Sequence, residues 1–275
     1  MTVAVPAQAA LDYFPCRYGR SRVLFRGPRR RLDESYIGFL GGTETYGRFI
    51  ETPFPALIEH QIGFPCVNFG AVNAGLDLYL HDPAIIGLAE KAQTCVVQVM
   101  GAQNMSNRYY SVHPRRNDRF LRASDRLQQL YPEVDFTEFH FNRHMLGRLK
   151  QLSPERFNEV VLELRIAWVA RMKHLLTLLR GRVLLLWFAD RAPSDKPVSD
   201  TQGDPLFVDR AMLDALRPRI AGLVETPLSD PARRHGAPGM IYSDFEASAA
   251  AELMGPQAHE ETAAHLLPML RELLG

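Results

Sequence analysis

Short apolar runs alternate with longer stretches of helical spacing along this chain. Tyr36–Leu40 is apolar and β-prone. It breaks into Gly41-Gly42, and the polar run Thr43-Glu44-Thr45 follows. A segment with helical spacing opens near Pro53, with Leu57, Ile58 and Ile62 as its apolar positions. This succession reads as buried strand, tight turn and helix. Cys66–Phe69 is a second short strand, closed by a Gly/Asn turn from Gly70 to Gly75. Asp82-Pro83 starts a helix that runs to Ala92, with Asp82 as N-cap. Thr94–Met100 is the clearest strand and ends in Gly101-Ala102-Gln103-Asn104.

Ser153-Pro154-Glu155 opens a long helix whose apolar face runs from Phe157 through Leu164 and Trp168 to Leu179, with Gly181 as its end. Val183–Phe188 is continuously apolar and reads as a fourth strand buried on both faces. A helix near Val208–Leu216 and a fifth strand over Ile220–Glu225 follow, and Met240–Ser243 is a further candidate strand. The last helical segment turns Ala263, Leu266, Leu267, Leu270 and Leu274 inward, with a kink expected at Pro268.

The repeated βα rhythm predicts an α/β fold: one three-layer, flavodoxin-like domain over residues 36–275, with a mostly parallel sheet of about five strands. Residues 105–180 read as a helical insertion after the third strand. Residues 1–35 read as an arm packed on the domain. Val23, Leu24 and Phe25 give it something to bury, and Arg17, Arg20, Arg22, Arg26, Arg29, Arg30 and Arg31 crowd around them.

Composition changes this picture little. The 275 residues suffice for one large domain, and a net charge of +1 supplies no field that would draw in nucleic acid or a membrane. No apolar run approaches the roughly twenty residues of a membrane span. The first ten residues lack the charged and apolar regions of a signal peptide. Cys16, Cys66 and Cys95 are odd in number and without metal or disulfide spacing, so a reducing, cytoplasmic setting is expected, with no metal and no cofactor. All but four of the 32 basic residues are arginine. A codon bias explains that excess, and so does a need for bidentate contact with anions.

In an open α/β sheet, ligands bind beyond the carboxyl ends of the strands. Thr43 is expected there as a reactive hydroxyl, with Glu44 and Asn73 beside the substrate. His259, at a helix start, is the candidate base. The Gly70 and Gly75 N–H groups and the Asn104 amide would receive an oxyanion. Each residue also has a plain reading: Thr43, Asn73 and Asn104 as turn residues, His259 as a helix start. The run Asn107–Arg119 carries Arg115 and Arg116 among aromatics, either as a rim that grips an anionic substrate or as a solvated insertion.

This order resembles the SGNH (GDSL-type) hydrolase family. Gly41-Gly42-Thr43 sits where that family has Gly-Asp-Ser. Asn68-Phe69-Gly70 resembles its second block, Gly101–Asn104 its third, and Pro256–His259 its Asp-x-x-His block. The resemblance implies an ester hydrolase or acyltransferase, acting on a small molecule or carbohydrate, with Thr in place of Ser. Pro256 replaces the orienting Asp, so Asp244, Glu252 or Glu260 would have to stand in. The chain as a whole also resembles a bacterial family to which no activity is attached. Two other classes stay open. One is a non-catalytic binding protein for an anionic sugar or nucleotide. The other is a sulfotransferase-like group-transfer enzyme, although the Gly41–Thr45 loop lacks the lysine of a phosphate loop.

Overall fold

The computed structural model describes residues 11–180 and 182–275; Met1–Ala10 and Gly181, the expected end of the long helix, lie outside them. The chain runs β1 (Ile37–Leu40), α1 (Thr43–Tyr46), α2 (Phe54–Ile62), β2 (Cys66–Asn68), α3 (Leu76–Leu80), α4 (Pro83–Ala89) and β3 (Thr94–Gln98). A hairpin of β4 (Tyr110–His113) and β5 (Arg116–Ala123) follows, then α5 (Asp125–Leu130), α6 (Asn142–Leu152) and α7 (Pro154–Leu179). The chain closes with β6 (Arg182–Ala189), α8 (Arg210–Asp214), β7 (Gly222–Pro227), α9 (Asp230–His235), α10 (Ala247–Ala251) and α11 (Pro256–Leu274).

Five strands make one wholly parallel sheet in the order β2-β1-β3-β6-β7. Its register pairs Ile37 with both Cys66 and Thr94, and Thr94 with Arg182. Period-two alternation sorts the strand residues between two layers of helix. Ile37, Phe39, Val96, Leu184, Leu186 and Phe188 share a core with Phe54 and Ile58 of α2 and Ala263, Leu266 and Leu270 of α11. Leu40, Val97, Leu185 and Trp187 share the other core with α3, α4 and α7. Each such buried side chain contributes about 1.5–3 kcal/mol. The three-layer α/β architecture follows directly from that sorting.

The segment after β3 is only partly helical. It carries the β4–β5 hairpin, and α7 is the crossover that returns the chain to β6, seated on the sheet through Phe157, Leu164, Trp168 and Leu179. Ser153 caps α7 by accepting from the Arg156 N–H. Met240–Ser243 is not a strand. Its Ile241 N–H donates to the Phe49 carbonyl, and Met240 is buried in a small cluster with Phe49, Ile50 and Ala250. That single contact has no ladder to extend, so no strand forms. In the arm, Tyr18 and Phe25 are buried and meet Phe69 edge-on. Arg26 donates to the carbonyls of Tyr46, Gly47 and Glu51, closing the carboxyl end of α1. Among the described residues, no helix is long and apolar enough to cross a membrane.

Candidate active site

The strand order reverses between β1 and β3, where a doubly wound sheet opens a crevice. A cleft of about 640 Å³ lies there. Gly42, Thr43 and Glu44 reach it from the end of β1, Asn73 and Ala74 from the turn after β2, and Gly101, Gln103 and Asn104 from the end of β3. Asp190 and Arg233 reach it from beyond β6 and β7, and Asp204, Arg143 and Glu252 complete the wall.

Gln98, buried at the end of β3, organises the first turn. Its Oε1 accepts from the Gly42 N–H at 3.0 Å, the Thr45 N–H at 3.2 Å and the Thr45 hydroxyl at 2.6 Å. Its Nε2 donates to Glu44 Oε2 at 3.2 Å. That carboxyl is held above its ordinary range, first by burial and then by the negative charge of Asp204. The Thr43 hydroxyl is engaged twice by Asn73. It donates to Asn73 Oδ1 at 3.2 Å and accepts from the Asn73 N–H at 3.0 Å. Asn73 Nδ2 in turn donates to Asp118. Among the described residues, the Thr43 N–H has no acceptor.

The structure therefore brings Thr43, Glu44, Asn73 and Asn104 to one cleft. It places the other residues expected of the site differently. Gly70 and Gly75 do not line the cleft. The Gly70 N–H donates to Asn68 Oδ1 and the Gly75 N–H to Asn117 Oδ1, so neither donor is available to an oxyanion. Glycine is required at both for close approach. A Cβ on Gly70 would lie 2.4 Å from the Tyr46 nitrogen, and one on Gly75 would lie 1.8 Å from the Asn104 carbonyl oxygen.

His259 is only 1% exposed and does not line the cleft. Its ring stacks on Phe54, meets Phe188 edge-on, and accepts the Phe54 N–H at Nδ1. Burial pulls its pKa down from 6.5 to about 3, and Arg26 pulls in the same direction. Neutral and enclosed, it makes no hydrogen bond to Thr43 or to any carboxylate among the described residues. Asp244, Glu252 and Glu260 are all exposed and none orients it. Arg115 and Arg116 also miss the cleft, because the β4–β5 turn carries them to a second groove, which Ala71 and Val72 line.

Several residues of the site escaped the sequence reading. Asn117 and Asn142 are wholly buried. Asn117 holds the Gly75 and Leu78 N–H groups. Asn142 Nδ2 donates to the carbonyls of Gln103 and Asn117 and to Asn104 Oδ1, which fixes the Asn104 amide. Gln103 Oε1, at the cleft wall, is buried without a partner among the described residues. Gln98 left a legible trace, since a lone polar residue in an otherwise apolar, buried strand needs partners. Asn117 and Asn142 left none, lying in polar stretches far apart in sequence.

A family model described as a domain of unknown function, DUF6473, matches residues 1–274. No curated protein matches the chain. Solved structures that match the chain include a lipase from a goat rumen metagenome, which is 12% identical. That match covers 87% of this chain and 97% of the lipase, with a TM-score of 0.44. A protein from Lactobacillus plantarum, also 12% identical, matches over 86% of this chain and 97% of its own, with a TM-score of 0.37. A gut microbial diltiazem-metabolizing enzyme, 13% identical, matches over 85% of this chain and 46% of its own, with a TM-score of 0.33.

Proposed function

The chain belongs to the DUF6473 family, and from its cleft we propose an SGNH-like hydrolase acting on an ester of a small, hydroxyl-rich molecule. The observation that carries this reading is the Thr43-Glu44 pair. The Glu44 carboxyl, of raised pKa, and the Thr43 N–H, which has no acceptor among the described residues, both belong to the turn at the strand-order reversal that lines the cleft. The lining supports the substrate class. Carboxylates at Glu44, Asp190 and Asp204 accept from sugar-type hydroxyls, and amides at Asn73, Gln103 and Asn104 both donate and accept.

Because His259 lies in the core, Glu44 takes its place as proton carrier. The Glu44 carboxylate removes a proton from a water as its oxygen adds to the ester carbonyl. Negative charge develops on the carbonyl oxygen, toward the free Thr43 N–H and the Asn104 amide held by Asn142. The proton then passes from Glu44 to the departing alkoxide, leaving an acid and an alcohol. In this assignment Thr43 positions the turn and offers its N–H. Its hydroxyl is held by Asn73, which is no base.

Hydrolysis of para-nitrophenyl acetate and of acetylated monosaccharides tests the reading. Glu44→Gln is expected to lower kcat by about 10²–10⁴-fold, and the acid limb of the rate profile should lie above the ordinary carboxylate range. Turnover that survives Glu44→Gln unchanged overturns the assignment. The doubly engaged Thr43 hydroxyl favours one other reading, a non-catalytic sugar-binding cleft. Saturable sugar binding without turnover in the wild-type chain would select it.

A further inference from the structure

A second groove, of about 790 Å³, lies between the arm, the turn after β2 and the β4–β5 hairpin. Arg115 and Arg116 enter it from the hairpin turn, Arg119 from β5 and Arg22 from the arm. No carboxylate lines it. Among the described residues, none of these four guanidinium groups lies within ion-pair distance of an acidic side chain. Other arginines among the described residues also stand without an acidic partner, but here four share one groove, whereas arginines beside buried or half-buried carboxylates are paired. Arg165 is paired with buried Asp209, Arg171 with buried Asp77, and Arg210 with Glu225. Gathering four like charges without a counter-charge opposes folding, and such local conflicts mark functional places.

The arrangement is also held in place. His113 Nδ1 accepts the N–H groups of Arg115 and Arg116 at 3.2 and 3.1 Å, which fixes the turn. The Arg119 guanidinium lies over the Phe141 ring, 4.1 Å from its centroid. Apolar surface accompanies the charge. Leu24 and Leu121, 53% and 54% exposed, line the groove together with Val72 and Phe120. A large exposed leucine pair beside unpaired arginines calls for a ligand with both characters.

We propose that this groove binds one anionic amphiphile, a phosphate or sulfate monoester of a linear apolar chain. Its head group lies among Arg22, Arg115, Arg116 and Arg119, where the forked guanidinium donors match the ester oxygens. Its chain lies along Leu24, Val72 and Leu121. At about 790 Å³ the groove has room for one such molecule. Thr43 and Glu44 do not line this groove, and the site does not rest on the hydrolase reading.

Calorimetric titration with decyl phosphate, below its aggregation concentration, tests the site without any turnover. Its failure is therefore separate from failure of the hydrolase reading. Decyl phosphate is expected to bind at least about tenfold tighter than inorganic phosphate, and joint Arg115→Ala and Arg116→Ala substitution to weaken it about tenfold or more. Joint Leu24→Ser and Leu121→Ser substitution should bring its affinity down toward that of inorganic phosphate. All four positions are surface-exposed, and unchanged thermal unfolding would verify that the variants fold. Affinity that ignores the arginine substitutions overturns the proposal, as does inorganic phosphate binding equally well. Sedimentation with phosphatidylserine vesicles, in a protein that takes up no monomeric decyl phosphate, also overturns it.

Discussion

His259 ties the pH response of the molecule to its interior. Its folded-state pKa is lowered from 6.5 to about 3 by burial, so the unfolded chain takes up a proton that the folded chain refuses. The stability it supports is present in full above pH 6.5 and is lost as pH falls toward about 3, by up to about 1.4 kcal/mol for each pH unit. His259→Phe removes that proton uptake and also strands the Phe54 N–H, a loss of about 1–3 kcal/mol. Urea midpoints should show the variant below wild type near neutral pH, with the gap narrowing as the solution is acidified; a gap that stays constant would contradict the account. The location was within reach of the sequence. His259 stands four, seven and eleven residues before Ala263, Leu266 and Leu270, on the same apolar helix face. Its attraction as a catalytic base concealed that spacing. Thr43, Glu44, Asn73 and Asn104 could be placed because each follows the end of a strand, where the topology leaves a crevice. The raised pKa of Glu44 could not be read from the sequence, because it depends on burial and on Asp204, distant in sequence.

Among the elements, the turns after β2 and β3 touch more closely than any side chain allows. A Cβ at Gly75 would stand 1.8 Å from a backbone oxygen of Asn104, which cannot rotate away. Gly75→Ala is expected to lower stability by about 1–3 kcal/mol, read as a lower urea midpoint at unchanged slope. Gly87, inside α4 with nothing within 4 Å of a built Cβ, gives the contrast. There alanine should raise stability by about 0.5–1 kcal/mol through helix propensity. The five sheet strands and the long face of α7 were readable from the hydrophobic pattern, and the Asp82 and Ser153 caps were readable from residue type. The β4–β5 hairpin was not. Its second strand is rich in Arg, and the buried Asn117, bonded to the turn after β2 and to Asn142 of α6, rather than local preference, holds the hairpin in place.

At the scale of the whole molecule, the turn between β2 and α3 serves both the cleft and the arginine groove. Asn73 and Ala74 line the first, and Ala71 and Val72 line the second. The parallel sheet carries that turn at the end of β2. The same sheet joins Thr94 to Arg182, with the Thr94 hydroxyl donating across 88 residues of chain to the Arg182 carbonyl. During synthesis, β1, β2 and β3 leave the ribosome well before β6 exists. Until then the Cys95-Val96-Val97 edge has nothing to zip against, and a neighbouring nascent chain can take the vacant place. Dilution from denaturant should accordingly return less native protein as the final concentration rises, with the loss appearing as aggregate rather than as soluble unfolded chain. A yield independent of concentration would mean that the late-arriving strand closes the sheet faster than two chains can meet.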